Sequence, residues 1–331
     1  MRCAVLGSGS WGTTFAQVLA DAGNDVVVWA KSAATAEAIT TDHVNPTYLP
    51  GVALAPSITA TTHLREVLAG AEVVVVALPS QIVREVLTPY RDAVPAEAVV
   101  VSLMKGVELG TDERMSQVLA GIWDLAPDRV AVVSGPNLAG EIARRQPTTT
   151  VVACEDEHVA HRVAQACSTP YFRTFTTTDV IGVEIGGAVK NVIALAVGIA
   201  QGLGYGDNTM ASIMTRGLSE AARIGAAVGA QPATFAGLAG MGDLIATCSS
   251  PLSRNHRLGS LLGQGMSLEG AIEEIGSTAE GAKSCRSILD LADQHGVTTS
   301  IIAAVVAVLY DGASVPETVA GLVDRPPRPE D

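Results

Sequence analysis

Six short apolar runs in the first half of this 331-residue chain constrain its fold more than any other feature. They are rich in valine, alanine and leucine along their whole length, at residues 2–7, 25–29, 72–78, 98–103, 130–134 and 148–153. A strand that is apolar on both sides belongs to a sheet covered on both faces. Helical patterns lie between the runs, so the first half is predicted to be an α/β domain with a doubly wound parallel sheet.

The strand pattern ends after residues 171–176, and the rest of the chain is rich in alanine, glycine and leucine at helical spacing. A run of threonines precedes Asp179, a residue type that commonly caps helices, and this marks the predicted boundary. The sequence therefore predicts an α/β domain over 1–179, an all-helical domain over 180–324, and a flexible tail over 325–331.

A glycine-rich loop joins the first predicted strand to the first predicted helix. Gly7, Gly9 and Gly12 have the spacing G-x-G-x-x-G. In this position the glycines permit a tight turn, a close approach of the backbone to a pyrophosphate, and close packing of helix on strand. The helix N-terminus also favours an anion. The first domain is therefore predicted to be a Rossmann-type domain that binds NAD(P).

The end of the second predicted strand bears on which dinucleotide binds. NAD-specific sites usually carry a carboxylate there, for the ribose 2′-hydroxyl, but this chain has Lys31. A cation favours the 2′-phosphate of NADP, whereas an ordinary surface lysine is an equally open interpretation. The preference between NADH and NADPH is therefore left open.

Polar residues are sparse in the helical half and are candidates for chemistry. Lys190 is the one charge between Glu184 and Asp207. Burial would lower the pKa of such a lysine towards values useful for acid–base catalysis, although it could instead extend outwards to solvent. Asp243 lies among glycines, where it is either a site residue or a helix cap. Ser253, Arg254 and Asn255 combine a predicted helix start with a guanidinium, which suits an anion.

Charge and cysteine content exclude several classes of protein. The net charge is −13, which disfavours nucleic acid and anionic membranes. The five cysteines include no C-x-x-C pair, as in reduced cytoplasmic proteins. No uncharged apolar stretch reaches the ~18 residues of a membrane span. His158 and His161 stand beside acidic residues and predict no metal site. An apolar segment at 300–309 is consistent with a homodimer interface or with packing inside the chain.

The sequence resembles the bacterial NAD(P)-dependent glycerol-3-phosphate dehydrogenases over nearly its whole length. The similarity lies in ordered motifs at residues 7–13, 45–51, 105–108, 134–141, 187–194, 202–208, 215–220, 237–244, 253–255 and 279–281. The resemblance implies reversible reduction of dihydroxyacetone phosphate to sn-glycerol 3-phosphate, which supplies glycerophospholipid synthesis.

The resemblance also implies roles for individual residues. Lys190 is the expected proton donor and acceptor. The expected substrate-binding residues are Lys105, Gly135, Asn137, Lys190, Asp243, Ser253, Arg254 and Asn255. The expected cofactor-binding residues are Gly7, Gly9, Ser10, Trp11, Gly12, Lys31, Tyr48, Lys105, Ala139, Arg254 and Glu280. The chain departs from the common family pattern at three positions. It has Asn137 where the family commonly has serine, Lys31 where arginine is frequent, and Thr278 where valine is frequent.

Two other functions compete with this one. A 3-hydroxyacid or 6-phosphogluconate-type dehydrogenase shares the two-domain layout and the lysine on a long helix. Those enzymes typically carry asparagine four residues after the lysine, whereas this chain has Ala194 there and Asn191 next to the lysine. A non-catalytic NAD(P)-sensing protein would need none of Lys190, Asp243 and Arg254.

Overall fold

The computed structural model describes residues 1–276 and 279–323. The predicted tail at 325–331 and Thr278 lie outside the described residues. The strands, in chain order, are β1 Arg2–Leu6, β2 Asp25–Trp29, β3 Val44–Asn45, β4 Leu49–Ala53, β5 Thr59–Thr61, β6 Val73–Val76, β7 Val99–Ser102, β8 Val130–Ser134, β9 Thr148–Ala153 and β10 Phe172–Thr177. Eight of them form one sheet in the order β10-β9-β8-β7-β6-β1-β2-β5, and β3 pairs with β4 separately.

Helices cover both faces of the large sheet, as the apolar strands predict. Along β1, Cys3 and Val5 belong to one apolar cluster, whereas Ala4 and Leu6 belong to another on the opposite face. Successive side chains of a strand point to opposite faces, so both faces are packed. The helices of this half are α1 Ser10–Asp21, α2 Ala33–Glu37, α3 Leu64–Leu68, α4 Val83–Leu87, α5 Met115–Trp123, α6 Ala139–Ala143 and α7 Glu157–Ala166.

The sheet differs from the prediction in the direction of its last two strands. β9 pairs with β8 in antiparallel fashion, and β10 is parallel to β9, so both run against the other six strands. The segment between β8 and β9 stays at the carboxyl edge of the sheet, and β9 re-enters from the edge at which β8 ended. The sheet is therefore parallel in its larger part and mixed at one side.

The part of the chain after β10 is helical throughout the described residues. Its helices are α8 Val180–Gly202, α9 Asp207–Ala227, α10 Pro232–Phe235, α11 Asp243–Ser249, α12 Arg254–Gly263, α13 Leu268–Ile275, α14 Glu280–Gln294, α15 Ile301–Tyr310 and α16 Val315–Val323. Asp179 caps α8, since its carboxylate accepts from the Gly182 amide at 2.9 Å, as predicted.

Glycines let the backbone of α8 approach that of α12. A Cβ on Gly198 or Gly202 of α8 would overlap the α12 backbone, and a Cβ on Gly259 or Gly263 would overlap α8. Glycine permits such an approach because it has no side chain. The two helices are therefore packed closely, backbone against backbone.

Helix α8 is long and apolar enough to pass the usual test for a membrane span. The sequence analysis predicted that no segment would pass this test, and that prediction is wrong for α8. Val180–Gly202 is long and apolar enough by length and composition, although it carries Glu184 and Lys190. In the structure 89% of its most apolar 18-residue window is buried inside the protein. This is the environment of a core helix of a soluble protein.

Candidate active site

A buried carboxylate joins two lysines where the two halves of the chain meet. Asp243, the first residue of α11, is 1% exposed. Its Oδ1 lies 2.7 Å from Nζ of Lys190 on α8, and its Oδ2 lies 2.5 Å from Nζ of Lys105, which follows β7. We call these three residues the lysine–aspartate cluster. Asp243 does not cap the helix, whose N-cap is Gly242, so the helix-cap interpretation is wrong and its role as a site residue stays a prediction.

Thr247 completes the surroundings of Lys190. Its Oγ1 accepts a hydrogen bond from Lys190 Nζ at 2.6 Å and donates one to Asp243 Oδ1 at 3.3 Å. The sequence interpretation missed Thr247. The signal was available, because residues four apart on a helix share a face and Thr247 follows Asp243 by four positions.

The surroundings of the cluster shift the titration of Lys105 and Asp243. Burial, together with the charge of Lys190, lowers the pKa of Lys105 to about 8 despite the opposing attraction of Asp243. Burial alone would raise the pKa of Asp243, but the charges of Lys105 and Lys190 hold it below its usual value. Two ammonium groups thus share one carboxylate, and such a cluster releases a proton more readily than an isolated lysine.

Lys105 also reaches the loop after β8. Its Nζ donates to the Gly135 carbonyl at 3.2 Å. Gly135 has φ +150°, and a Cβ there would lie 3.2 Å from the Cα of Thr150, so glycine suits this position. Asn137 donates to Thr150 Oγ1 at 2.8 Å, while its own Oδ1 is buried without a hydrogen-bond partner among the described residues.

The starts of α12 and α14 are tied to α8 beside Lys190. Asn255 Nδ2 donates to Asn191 Oδ1 at 2.9 Å, and Asn255 Oδ1 accepts from the Gly281 amide at 2.9 Å. Ser253 caps α12 as predicted, with Oγ accepting from the His256 amide at 3.3 Å. Arg254, the first residue of α12, is exposed to solvent. An anion at this helix start would meet the guanidinium and free amides together.

The glycine loop has the geometry that a pyrophosphate requires. Gly7 has φ +119°, and a Cβ there would lie 2.6 Å from the Ala77 carbonyl, so only glycine fits without strain. A Cβ on Gly12 would overlap the Gly7 carbonyl, whereas Gly9 has no atom within 4 Å of its Cβ position. The loop is therefore packed against backbone atoms at Gly7 and Gly12, whereas the space next to Gly9, at the start of α1, is open.

One polar side-chain atom beside this loop has no hydrogen-bond partner among the described residues. Nε1 of Trp11 is buried and has no hydrogen-bond partner within the described part of the chain. Ser10 Oγ donates to the Tyr48 carbonyl at 2.6 Å, and Tyr48 is itself exposed. Ala139 begins α6 and accepts from Thr14 of α1 at 3.3 Å. Together with the open loop, the unpaired Trp11 donor fits a bound dinucleotide.

Glu280 lies at a junction between the two halves. It begins α14, and its Oε2 accepts from Ser80 Oγ, which follows β6, at 2.5 Å. Burial raises the pKa of Glu280, although the hydrogen bond from Ser80 opposes this shift. The sequence interpretation missed Ser80, whose position just after an apolar strand was its available signal.

Lys31 lies away from the lysine–aspartate cluster. Lys31 is exposed just after β2, whereas Lys105 follows β7, three strands along the sheet. At a strand spacing of about 4.8 Å the two loops are roughly 14 Å apart. A ligand that contacts both must be elongated, as a dinucleotide is.

The remaining sequence predictions concern metals and cysteines. His158 and His161 are exposed on α7. Within residues 1–276 and 279–323, no group of three or more histidine, cysteine or acidic residues could hold a metal ion. All five cysteines are free and buried, as predicted.

The open glycine loop follows β1, and Lys105 of the lysine–aspartate cluster follows β7, at the same carboxyl edge of the Rossmann-type sheet. A dinucleotide loop and a buried lysine from a helical domain, at one edge of such a sheet, identify an NAD(P)-dependent two-domain dehydrogenase. Residues 2–160 match the family model described as NAD-dependent glycerol-3-phosphate dehydrogenase N-terminus, and residues 179–320 match the corresponding C-terminus. The chain belongs to the NAD-dependent glycerol-3-phosphate dehydrogenase family.

Individual members of this family are similar to the chain over its full length. The curated glycerol-3-phosphate dehydrogenase (NAD(P)+) of Streptomyces griseus is 56% identical over 330 residues, covering 100% of this chain and 98% of the relative. That of Thermobifida fusca is 55% identical, with 99% and 98% covered. A crystal structure of glycerol-3-phosphate dehydrogenase from Coxiella burnetii superimposes with a TM-score of 0.93 at 33% identity, covering 98% of each chain.

Proposed function

We propose that this protein reversibly reduces dihydroxyacetone phosphate to sn-glycerol 3-phosphate with NAD(P)H, and so supplies glycerophospholipid synthesis. The lysine–aspartate cluster is the observation that carries the proposal. It places a buried proton donor beside an open dinucleotide loop, in a chain whose full-length relatives bear the name of this activity.

Lys190 is the proposed acid and base of the reaction. When bound, NAD(P)H supplies a hydride to the ketone carbon. Lys190 Nζ gives a proton to the oxygen that becomes the hydroxyl, and accepts it back in the reverse direction. Asp243 and Thr247 hold Nζ in place from one side. Lys105 adds a second positive charge that stabilises the developing alkoxide.

The proposed cofactor site extends along the carboxyl edge of the sheet. The glycine loop and the start of α1 hold the pyrophosphate, and the unpaired Trp11 donor faces the same ligand. The full proposed set is Gly7, Gly9, Ser10, Trp11, Gly12, Lys31, Tyr48, Lys105, Ala139, Arg254 and Glu280.

The proposed substrate site lies between the cluster and the start of α12. Its residues are Lys105, Gly135, Asn137, Lys190, Asp243, Ser253, Arg254 and Asn255. The lysine–aspartate cluster contacts the carbon and oxygen of the substrate that react. Arg254 and the amides at the start of α12 bind the phosphate. Binding of the distant phosphate then orients the carbonyl towards Lys190.

Replacing Arg254 by alanine is expected to raise KM for dihydroxyacetone phosphate by about 10- to 100-fold, because charge-assisted hydrogen bonds contribute about 1.5–3 kcal/mol. We expect kcat to change by less than about threefold. Arg257→Ala is the matched control, since Arg257 is exposed on the same helix but pairs with Glu274 at 3.0 Å. A loss of kcat with unchanged KM would contradict the phosphate role of Arg254.

Lys31 tests the choice of cofactor. Replacing Lys31 by alanine is expected to raise KM for NADPH by about 3- to 10-fold and to leave KM for NADH unchanged, because only NADPH carries the 2′-phosphate. Steady-state kinetics with both cofactors measure the difference, with NADH as the internal control. A wild-type enzyme that accepts NADH alone would show that Lys31 has no such role.

The remaining proposals concern organisation and location. We propose that residues 1–179 bind the cofactor and that 180–324 form the substrate domain, a division supported by the end of β10 at Thr177 and the start of α8 at Val180. The free buried cysteines support a cytoplasmic location, and the burial of α8 inside the protein supports the absence of membrane insertion.

We also propose that the protein is a homodimer. The apolar segment that suggested an interface is α15, whose Ile301, Ile302 and Val305 side chains are buried within the chain, while Tyr310 at its end is exposed. Packing inside the chain therefore explains this helix. Light scattering at micromolar concentration would distinguish a dimer of about twice 33.9 kDa from a monomer.

A panel of substrates tests the activity itself. We expect a loss of NADPH absorbance with dihydroxyacetone phosphate, no gain of NADPH absorbance above background with 6-phosphogluconate plus NADP, and no change without substrate. Ala194 stands at the position where the competing dehydrogenases carry asparagine. Its methyl group is fully buried in the core and offers no hydrogen-bonding atom there. Turnover of 6-phosphogluconate alone would overturn the proposal.

A further inference from the structure

The central helix α8 contacts the first half of the chain along one of its faces. Glu184, Gly187 and Asn191 lie at spacings of three and four residues, which places them on a single stripe of the helix. A Cβ on Gly187 would lie 2.8 Å from Ser134 Oγ, and Asn191 Nδ2 donates to the Lys105 carbonyl at 3.4 Å. Gly187 and Asn191 of this stripe therefore rest on the end of β8 and on the loop that follows β7.

Glu184 is the charged member of this stripe, and it is only 5% exposed. Its Oε1 accepts from the Ser116 amide at 2.7 Å. Its Oε2 accepts from Ser116 Oγ at 2.6 Å and from Arg114 Nη1 at 2.5 Å. Arg114 and Ser116 lie at the start of α5, so both carboxylate oxygens bind the other half of the chain, at a helix end that favours a negative charge.

The geometry of the lysine–aspartate cluster depends on how the two halves are joined. Lys105 belongs to the first half, whereas Lys190 and Asp243 belong to the second. Lys190 follows Glu184 by six residues, about 9 Å along the helix axis. Apolar contacts are not directional, but hydrogen bonds to both carboxylate oxygens fix the position of a helix along its axis.

We propose that Glu184 is a positioning residue, which anchors α8 to the start of α5 and thereby holds Lys190 in register with Lys105. The inference rests on the proposed function of Lys190. Glu184 acts through the helix, since its carboxylate binds Arg114 and Ser116.

Glu184→Gln is the first test, because glutamine keeps the size of the side chain but removes its charge. We expect kcat to fall about 10- to 100-fold at 25 °C, since small misplacement of a reacting group has effects of this size. The Kd for NADPH, measured by fluorescence, should change less than twofold because the glycine loop is untouched. Arg114→Ala should reproduce both results from the other side of the contact.

Glu220→Gln is the matched control. Glu220 is also buried, at 3% exposure, and its carboxylate accepts from the amides of Ser300, Ile301 and Ile302 at the start of α15. This anchor lies within the helical half alone. The control should lower Tm as Glu184→Gln does, but it should leave kcat within about twofold at a temperature well below Tm.

The outcomes separate positioning from simple stabilisation. If Glu184→Gln lowers Tm but keeps kcat within twofold, as the control does, the inference is wrong. If it does not fold, Ser116→Ala removes a single hydroxyl and should still lower kcat about threefold or more, with Tm nearly unchanged; unchanged kcat there overturns the inference. Wild-type enzyme inactive on dihydroxyacetone phosphate would overturn the proposed function instead.

Discussion

Replacing Lys190 by alanine is expected to lower kcat for reduction of dihydroxyacetone phosphate by about 10²- to 10⁴-fold, the usual contribution of a positioned acid or base. Lys190 is 7% exposed, and its Nζ is held by Asp243 and Thr247. Bulk water is a poor substitute for a buried donor in this position. The Kd for NADPH should stay within about twofold, because the glycine loop is unaffected.

Lys190→Arg is the control that separates charge from proton transfer. Arginine keeps the positive charge but does not lose its proton at accessible pH. We therefore expect it to fold and to bind NADPH, and to remain at least about 100-fold less active than wild type. An alanine variant within tenfold of the wild-type kcat would rule out Lys190 as the proton donor.

Replacing Asp243 by asparagine should have the second-largest effect, on stability as well as on activity. The change leaves Lys105 and Lys190 facing one another without a counter-charge, and removing one partner of a buried ion pair costs about 3–5 kcal/mol of unfolding free energy. It should also lower the pKa of Lys105 further, because Asp243 opposes the effect of burial. We expect kcat to fall at least about 100-fold, because the ammonium of Lys190 loses its anchor.

Urea unfolding as a function of pH measures the stability effect. The pKa of Asp243 is held below its usual value in the folded protein. Its contribution is therefore present above the unfolded-state pKa of about 3.9 and is lost as pH falls through the folded value. The stability difference between wild type and Asp243→Asn should thus be largest near neutral pH and shrink in acid. Equal stability of both proteins at pH 7 would contradict the buried ion pair.

Much of the sheet could be predicted because its strands are apolar throughout. The runs at 25–29, 130–134 and 148–153 match β2, β8 and β9 residue for residue. The direction of β9 could not be predicted, since a buried strand has the same pattern whether its neighbour is parallel or antiparallel. The sequence did not predict β3, β4 and β5, because these strands are short and partly exposed and therefore contain no continuous apolar run.

The site was predictable where the signal is local in sequence. The glycine spacing identified Gly7, Gly9 and Gly12, and a charge inside an apolar helix identified Lys190. Thr247 and Ser80 carry local signals of position, but the partners that give Thr247, Ser80 and Glu184 their roles lie far along the chain. Ser80 and its partner Glu280 are 200 positions apart, and a single sequence carries no signal of that pairing.

The most direct test of the proposed function follows the transferred hydrogen. Wild-type enzyme would be incubated with dihydroxyacetone phosphate and NADPH carrying deuterium at both C4 positions, and the product analysed by mass spectrometry and NMR. The account predicts sn-glycerol 3-phosphate with one deuterium, at C2. A product without deuterium at C2, or no glycerol 3-phosphate while wild-type enzyme binds NADPH normally, would contradict it.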